Sequence, residues 1–202
     1  MCFFYVKILY MKEVNKKDLI LKSAQSCFIK YGYKRTTLDD IAKEANISRA
    51  AIYLIFSNKE DLFSSLLEYL HNNLLEKIKN YFLKSDGLEK KLINFFYTKS
   101  EMFFELANNS NHGKEILDAS SHLFYGTMQK CNNDFLGLII SELDNSVNHK
   151  EIDISNLSVT TQDLAKTIIS SANGIKNDSV NFKEYKNKIS ILIKIFITSV
   201  TD

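Results

Sequence analysis

The chain has 202 residues, of which 45% are hydrophobic and 25% are charged, a composition that is ordinary for a soluble globular protein with a buried core. Its three cysteines and four histidines are scattered without metal-ligand spacing, so we expect no metal site and cysteines that remain thiols in a reducing cytoplasm. The net charge of +2 conceals an asymmetry, since residues 12–60 carry +4 and residues 61–202 carry −3. This segregation suggests a polyanionic partner for the amino-terminal quarter, although such an asymmetry also arises by chance.

The chain lacks proline and has only six glycines, which favours an all-α fold because proline is the strongest helix breaker. Residues 1–10 are apolar, but they are too few to span a bilayer and show no signal-peptide cleavage site, so we expect a mis-assigned start or a loose arm. Apolar side chains at helical spacing then predict a first helix from about Lys16 to Lys30, which Gly32 ends.

A helix-turn-helix is predicted between residues 37 and 54. Thr37 is expected to cap its first helix, Asn46 to adopt the left-handed backbone of a tight turn, and Ser48 to cap its second helix. Asn58 caps a longer helix that continues to about Leu83. Such a motif places its second helix in the major groove of DNA, where base edges are distinguishable.

The predicted reading helix covers residues 48–54. Arg49 is expected to read a guanine through its bidentate guanidinium, and the small Ala50 to meet a thymine methyl. Three alternatives remain open: Arg49 contacts only phosphate, Tyr53 belongs to the core, or the whole segment is a helical hairpin without a DNA role. The predicted DNA-binding residues are Lys34, Arg35, Thr37, Ser48, Arg49, Ala50, Tyr53, Leu54 and Lys59.

Five further helices are predicted, at about 88–108, 112–120, 121–145, 161–173 and 181–200, with a loop over 146–160. Two segments dense in aromatic residues, 92–106 and 123–135, predict an apolar ligand cavity or, alternatively, a plain hydrophobic core. No buried charge is evident between them, which favours a neutral or apolar ligand. The candidate ligand-binding residues are Phe96, Tyr97, Phe103, Phe104, His122, Tyr125 and Met128.

The last predicted helix is apolar on more than one face. A helix of this kind must be buried on several sides, so we expect the last two helices to pack against a second copy of the chain.

The segment from about Lys17 to Leu66 resembles the tetracycline-repressor (TetR) family of bacterial transcription regulators. The matching residues are Ile20, Ala24, Phe28, Gly32, Thr36, Thr37, Ile41, Ala42, Ala45, Ile47, Ser48, Ile52, Tyr53, Phe56, Lys59, Glu60, Leu62 and Phe63. The resemblance implies a three-helix DNA-binding domain at 12–60, followed by a six-helix ligand-binding and dimerisation domain at 61–202.

By the same resemblance, Thr37, Tyr53 and Lys59 stand where the family contacts phosphates, and Arg49 and Ala50 stand where it reads bases. Two positions depart from the family pattern: Ala51 and Ile55 lack the polar groups that often contact phosphate there. We therefore expect phosphate binding to depend more on Lys34, Arg35 and Lys59.

Together these features predict a cytoplasmic homodimeric repressor that binds a palindromic operator and leaves it when a small, mostly apolar ligand binds. No cofactor and no membrane partner are expected. The alternative is a DNA-binding adaptor or architectural protein that a protein partner controls, without a small-molecule ligand. An enzyme is not expected, because the chain shows no nucleophile–base pair, metal spacing or phosphate-binding loop.

Overall fold

The computed structural model describes the backbone of residues 2–84, 87–109 and 111–201, and the side chains of residues 16–84, 87–107 and 111–201. Over these residues the regular secondary structure is helical, which confirms the predicted all-α fold. The helices are α1 (Cys2–Tyr31), α2 (Leu38–Glu44), α3 (Arg49–Tyr53), α4 (Lys59–Leu83), α5 (Leu88–Asn109), α6 (Gly113–His122), α7 (Tyr125–Asn148), α8 (Thr161–Asp178) and α9 (Phe182–Thr198), with a 3₁₀ turn at Ser155–Leu157.

Several predicted boundaries are wrong; helix α8, for example, ends at Asp178 and not at about residue 173. Helix α1 begins at Cys2 and not at about Lys16, so its backbone occupies the segment in which a loose arm was expected. No glycine or proline occurs between Cys2 and Tyr31, so nothing in the local chemistry interrupts the helix. Helix α7 continues to Asn148, which shortens the loop predicted over 146–160.

The predicted caps and turns are confirmed. Gly32 ends α1 with a φ of +82°, and Asn46 has a φ of +52° in the turn between α2 and α3. Thr37 and Asp40 form a capping box, in which the Thr37 hydroxyl accepts from the Asp40 amide and the Asp40 carboxylate accepts from the Thr37 amide. The Ser48 hydroxyl accepts from the Ala51 amide at 3.2 Å. These local bonds set where the helices of the motif begin.

The chain divides into two compact units. The first, here called the head unit, contains residues 2–70, 109 and 111–128; the second, the tail unit, contains residues 71–84, 87–108 and 129–201. The head unit thus includes α6 in addition to the predicted DNA-binding domain at 12–60. The boundary at residue 60 followed from the resemblance to the family, and it stays a prediction.

The core of the head unit joins α1 to the helix-turn-helix and to the start of α4. Its fully buried apolar residues include Ile20, Phe28, Ile41, Ile52 and Phe63. The rings of Tyr33 and Phe124 lie 4.7 Å and 4.9 Å from the ring of Phe63. This aromatic group holds the loop after α1 against the short connection between α6 and α7.

The core of the tail unit is formed by the second half of α4 together with α5, α7, α8 and α9. Phe95, Ile139, Leu143, Ile189 and Ile193 are completely buried in it. The Tyr185 hydroxyl is also buried, and it accepts a hydrogen bond of 2.8 Å from Ser100. Among the described residues, no helix combines the length and the apolar character that crossing a membrane requires.

Candidate nucleic-acid interface

Helices α2 and α3 form a tight pair within the head unit. Leu38, Ile41 and Ala42 of α2 and Ile52 of α3 are buried. The amide of Ile47 donates to the carbonyl of Ala42 at 3.0 Å, which closes the turn between the two helices. Burying one side of α3 leaves its other side facing solvent.

The solvent side of α3 carries the residues predicted to read DNA. Arg49 and Ala50 are exposed, Tyr53 is 46% exposed and Leu54 is 82% exposed. The alternative that Tyr53 belongs to the core is therefore wrong. A leucine and a tyrosine displayed together on a short helix suit contact with a partner surface better than contact with water.

Arg49 is held by two neighbours. Its Nη1 lies 3.0 Å from Asp39 Oδ2 on α2, and its Nη2 donates to the Tyr53 hydroxyl at 3.0 Å, with the guanidinium 5.4 Å from the Tyr53 ring centroid. The hydrogen bond to Tyr53 and the negative charge of Asp39 raise the pKa of Arg49 above its usual value. The guanidinium is thus charged and oriented on the exposed face of α3.

Asp39 was not among the residues predicted from sequence. Asp39 lies in the first turn of α2, where the helix dipole favours a carboxylate. Its presence there could therefore be explained without any contact to Arg49. Only the packing of α2 on α3 shows that this carboxylate also reaches Arg49.

Lys59 has partners in the loop between α1 and α2. Its ammonium donates to the carbonyls of Tyr33 and Lys34 at 3.0 Å and 3.3 Å and lies 4.7 Å from the Tyr33 ring centroid. Lys59 thereby secures the loop that presents the exposed Lys34 and Arg35. Its predicted phosphate contact stays a prediction, alongside this positioning role.

The loop between α1 and α2 is also bonded to α6. The amide of Lys34 donates to Glu115 Oε1 at 2.7 Å, and His112 Nδ1 lies 3.6 Å from Glu115 Oε2. A Cβ at Gly32 would collide with the Glu115 carboxylate. The left-handed backbone favours glycine here, and a larger residue would also displace the Glu115 side chain from its bond to Lys34.

The structure places the candidate ligand residues in two different units. Phe96 and Phe104 are buried in the tail unit, and Tyr97 and Phe103 are partly buried there. The head unit contains the other three: His122 and Tyr125, which are exposed, and Met128, which is partly buried. Their joint role in one ligand site stays a prediction.

The expectation that no charge is buried in the tail unit is wrong. Glu142 is 8% exposed, and its Oε1 lies 2.6 Å from Lys91 Nζ. Lys99 and Lys176 are also partly buried, against the rings of Phe135 and Phe103. Sequence reasoning missed these lysines because each stands in an amphipathic helix where a lysine normally faces water.

Comparisons with known proteins agree with this architecture. Residues 20–66 match the family described as "Bacterial regulatory proteins, tetR family". IcaR of Staphylococcus aureus strain Newman, the HTH-type negative transcriptional regulator of the biofilm operon icaADBC, is 26% identical over 188 residues, which cover 90% of this chain and 98% of IcaR.

Two solved structures show the same fold at low sequence identity. A transcriptional regulator from Cytophaga hutchinsonii is 17% identical, with a TM-score of 0.76 over 92% of this chain and 98% of that chain. FadR from Bacillus subtilis, solved in complex with stearoyl-CoA, is 17% identical, with a TM-score of 0.61 over 87% of this chain and 96% of that chain. Residues 20–66, which contain the helix-turn-helix and the exposed α3, thus form a domain of the TetR family of bacterial regulatory proteins.

Proposed function

We propose that this regulator is a homodimeric repressor that reads a palindromic operator with α3 and leaves it when a small, mostly apolar ligand binds. The observation that carries the proposal is the exposed face of α3, on which Asp39 and Tyr53 orient Arg49. IcaR is a negative regulator, and its similarity to this chain extends over nearly the full length of both proteins. This similarity favours repression over activation.

In the proposed complex, Arg49 contacts a guanine and Ala50 a thymine methyl in the major groove. The contacts to phosphate come from Thr37, Tyr53 and Lys59 together with Lys34 and Arg35. Ser48 and Leu54, at the two ends of the reading helix, complete the predicted DNA-binding set. The hydroxyl of Thr37 accepts from the Asp40 amide and donates its single proton to the Asp40 carboxylate, so in the complex a phosphate oxygen would take that proton in place of Asp40. The amino-terminal domain proposed to do this work is 12–60.

Exposed isoleucines on α9 support the proposed dimer. Ile191 is 59% exposed and Ile195 is 66% exposed, and their spacing of four residues puts them on one side of the helix. The opposite side of α9 buries Ile189 and Ile193 in the tail core. Covering the two isoleucines with a second copy contributes about 1–2 kcal/mol for each side chain, because more than half of each is still exposed before the dimer forms.

A dimer through the last two helices also explains how the operator is read. Two copies of α3 must lie about 34 Å apart to enter successive major grooves on one side of the duplex. A ligand that favours another separation lowers the affinity for DNA, and DNA then lowers the affinity for the ligand by the same factor. The hydrogen bond between Lys34 and Glu115 is the contact through which a movement of α6 would reach the DNA-binding loop.

DNA reading is tested by selecting binding sites from random duplex DNA with the full chain and measuring fluorescence anisotropy on the selected duplex. We expect Arg49→Ala to weaken binding by roughly 5- to 150-fold, equivalent to about 1–3 kcal/mol, and to relax the preference at one base pair. Lys166→Ala, which removes one exposed charge from α8, is the matched control and should bind as wild type. Equal binding by Arg49→Ala and wild type would show that α3 is not the reader.

The dimer is tested by sedimentation equilibrium. We expect wild type to sediment as a dimer and Ile191→Glu/Ile195→Glu to sediment as a monomer, while Lys79→Glu, at an exposed position of α4 outside the proposed interface, keeps the dimer. A monomeric wild type, or a dimeric double variant, contradicts the proposed interface. Release from the operator by an apolar compound separates the repressor from the adaptor alternative, in which no small molecule changes the affinity.

A further inference from the structure

Two lysines of the tail unit lack anionic partners. Lys99 lies on α5 and Lys176 on α8, and both side chains are partly buried. Within the described part of the chain, neither ammonium has a hydrogen bond or an ion pair. Other lysines of the same unit are paired: Lys91 with Glu142 at 2.6 Å, and Lys188 with Asp178 at 2.7 Å.

The ammonium groups of both lysines lie near aromatic rings rather than near carboxylates. The Nζ of Lys99 is 5.2 Å from the ring centroid of Phe135 on α7, and the Nζ of Lys176 is 4.5 Å from that of Phe103 on α5. The negative face of a ring attracts a cation but compensates only part of the hydration that the cation gives up. Both ammonium groups therefore retain capacity for an anion.

The electrostatics of the two lysines agree with this geometry. Burial, and to a smaller extent the positive charge of Lys176, together lower the pKa of Lys99 to about 8. Burial also lowers the pKa of Lys176. Lys99 and Phe103 are four residues apart on one face of α5, and the ammonium of Lys176 lies against the Phe103 ring. The charge of Lys176 disfavours the charged form of Lys99, and an anion bound beside them would offset that repulsion.

Apolar surface adjoins this pair of charges. The ring of Phe103 is 5.3 Å from that of Phe104, and the ring of Phe104 is 5.6 Å from that of Phe182. Phe103 and Phe182 are only partly buried, so part of this aromatic surface is accessible. A ligand held by the lysines would thus meet apolar side chains next to its charged group.

We propose that Lys99 and Lys176 together bind the carboxylate or phosphate head of an amphipathic ligand, whose apolar part lies against Phe103 and its aromatic neighbours. This inference rests on the proposed control by a ligand and refines it, since the ligand is then an anion rather than a neutral molecule. The two ammonium groups bind the anionic head of the ligand, and the aromatic rings contact its apolar part.

The test is isothermal titration calorimetry of the full-length protein at pH 7 with decanoate, decyl phosphate, decanol and inorganic phosphate. We expect at least one of the two amphipathic anions to bind ten times more tightly than decanol and than inorganic phosphate. A preference for decyl phosphate would identify a phosphate head, and a preference for decanoate a carboxylate head; both results support the site. Equal affinity for decanol, or no binding of either amphipathic anion, overturns it.

Variants place the binding at these residues. Lys99→Met/Lys176→Met keeps the apolar stems and should lose at least tenfold in affinity for the anion, whereas Lys166→Met on α8 should bind as wild type. Unchanged affinity in the double variant overturns the assignment, and circular dichroism checks that the variant is folded.

A titration of the anion against the protein–operator complex separates this inference from the proposed function. Anion binding without any change in DNA affinity supports the lysine site and refutes ligand-controlled release. Release caused by decanol alone supports ligand control and refutes the anion site.

Discussion

The burial of Lys99 leads to a prediction about the free energy of unfolding that does not depend on any ligand. The lysine has its pKa lowered from 10.5 to about 8 in the folded protein. Since one pKa unit corresponds to 1.36 kcal/mol, the full shift would cost the folded state about 3 kcal/mol at neutral pH. Lys99 is not fully buried, and solvent screening reduces the cost to about 1–2 kcal/mol. We therefore expect Lys99→Met to be more stable than wild type by this amount at pH 7.

The same shift fixes how the difference between Lys99→Met and wild type depends on pH. Below pH 8 the lysine is protonated in both the folded and the unfolded chain, so the cost is constant. Between pH 8 and 10.5 the folded chain releases the proton while the unfolded chain keeps it, and wild-type stability rises relative to the variant. The advantage of Lys99→Met should accordingly shrink from pH 8 upward and vanish near pH 10.5.

The measurement is urea unfolding at fixed protein concentration, at pH 7, 8, 9 and 10, for wild type, Lys99→Met and the control Lys166→Met. Tyr33 and Tyr185, whose pKa values burial raises to about 12, are present in every variant, so their titration cancels in the differences. A less stable Lys99→Met would show that the contact with Phe135 outweighs the lost hydration. A difference that does not change with pH would refute the assigned cause.

Three further predictions concern the head unit. Asp39→Asn releases Arg49 from its ion pair and removes a negative charge from the DNA-facing side, so binding to unrelated DNA should strengthen several-fold while base preference weakens; anisotropy on selected and scrambled duplexes measures both. Gly32→Ala should destabilise the protein by about 1–3 kcal/mol in thermal unfolding, mainly because φ is +82° and also because the Glu115 carboxylate must shift away from the new Cβ. Gly137→Ala, in open space on α7, should stabilise it by about 0.5–1 kcal/mol. Lys59→Ala should weaken binding to all DNA sequences alike. If the slope of log affinity against log salt concentration falls by an amount equivalent to about one phosphate contact, Lys59 contacts phosphate directly. If the slope is unchanged, Lys59 acts by holding the loop between α1 and α2.

Local chemistry was sufficient to predict the helices and the motif. Thr37, Asn46 and Ser48 act through hydrogen bonds and backbone angles that involve only residues three or four positions away. Such interactions are encoded in short stretches of chain, so the caps and the turn of the helix-turn-helix could be placed before any packing was known. The apolar spacing of the helices added which side of each is buried.

Packing between distant segments decided the rest. The approach of Glu115 to Lys34 joins residues 81 positions apart, and that of Lys176 to Phe103 joins α8 to α5; periodicity within one helix carries no information about either. The stabilising role of Asp39 at the start of α2 could be predicted from the sequence. Its ion pair with Arg49 could not, because that contact depends on how α2 packs on α3. Which charges are dehydrated, and which of them are left without a counter-charge, depends on how helices are arranged in space, and that arrangement is a property of the folded core rather than of any local pattern.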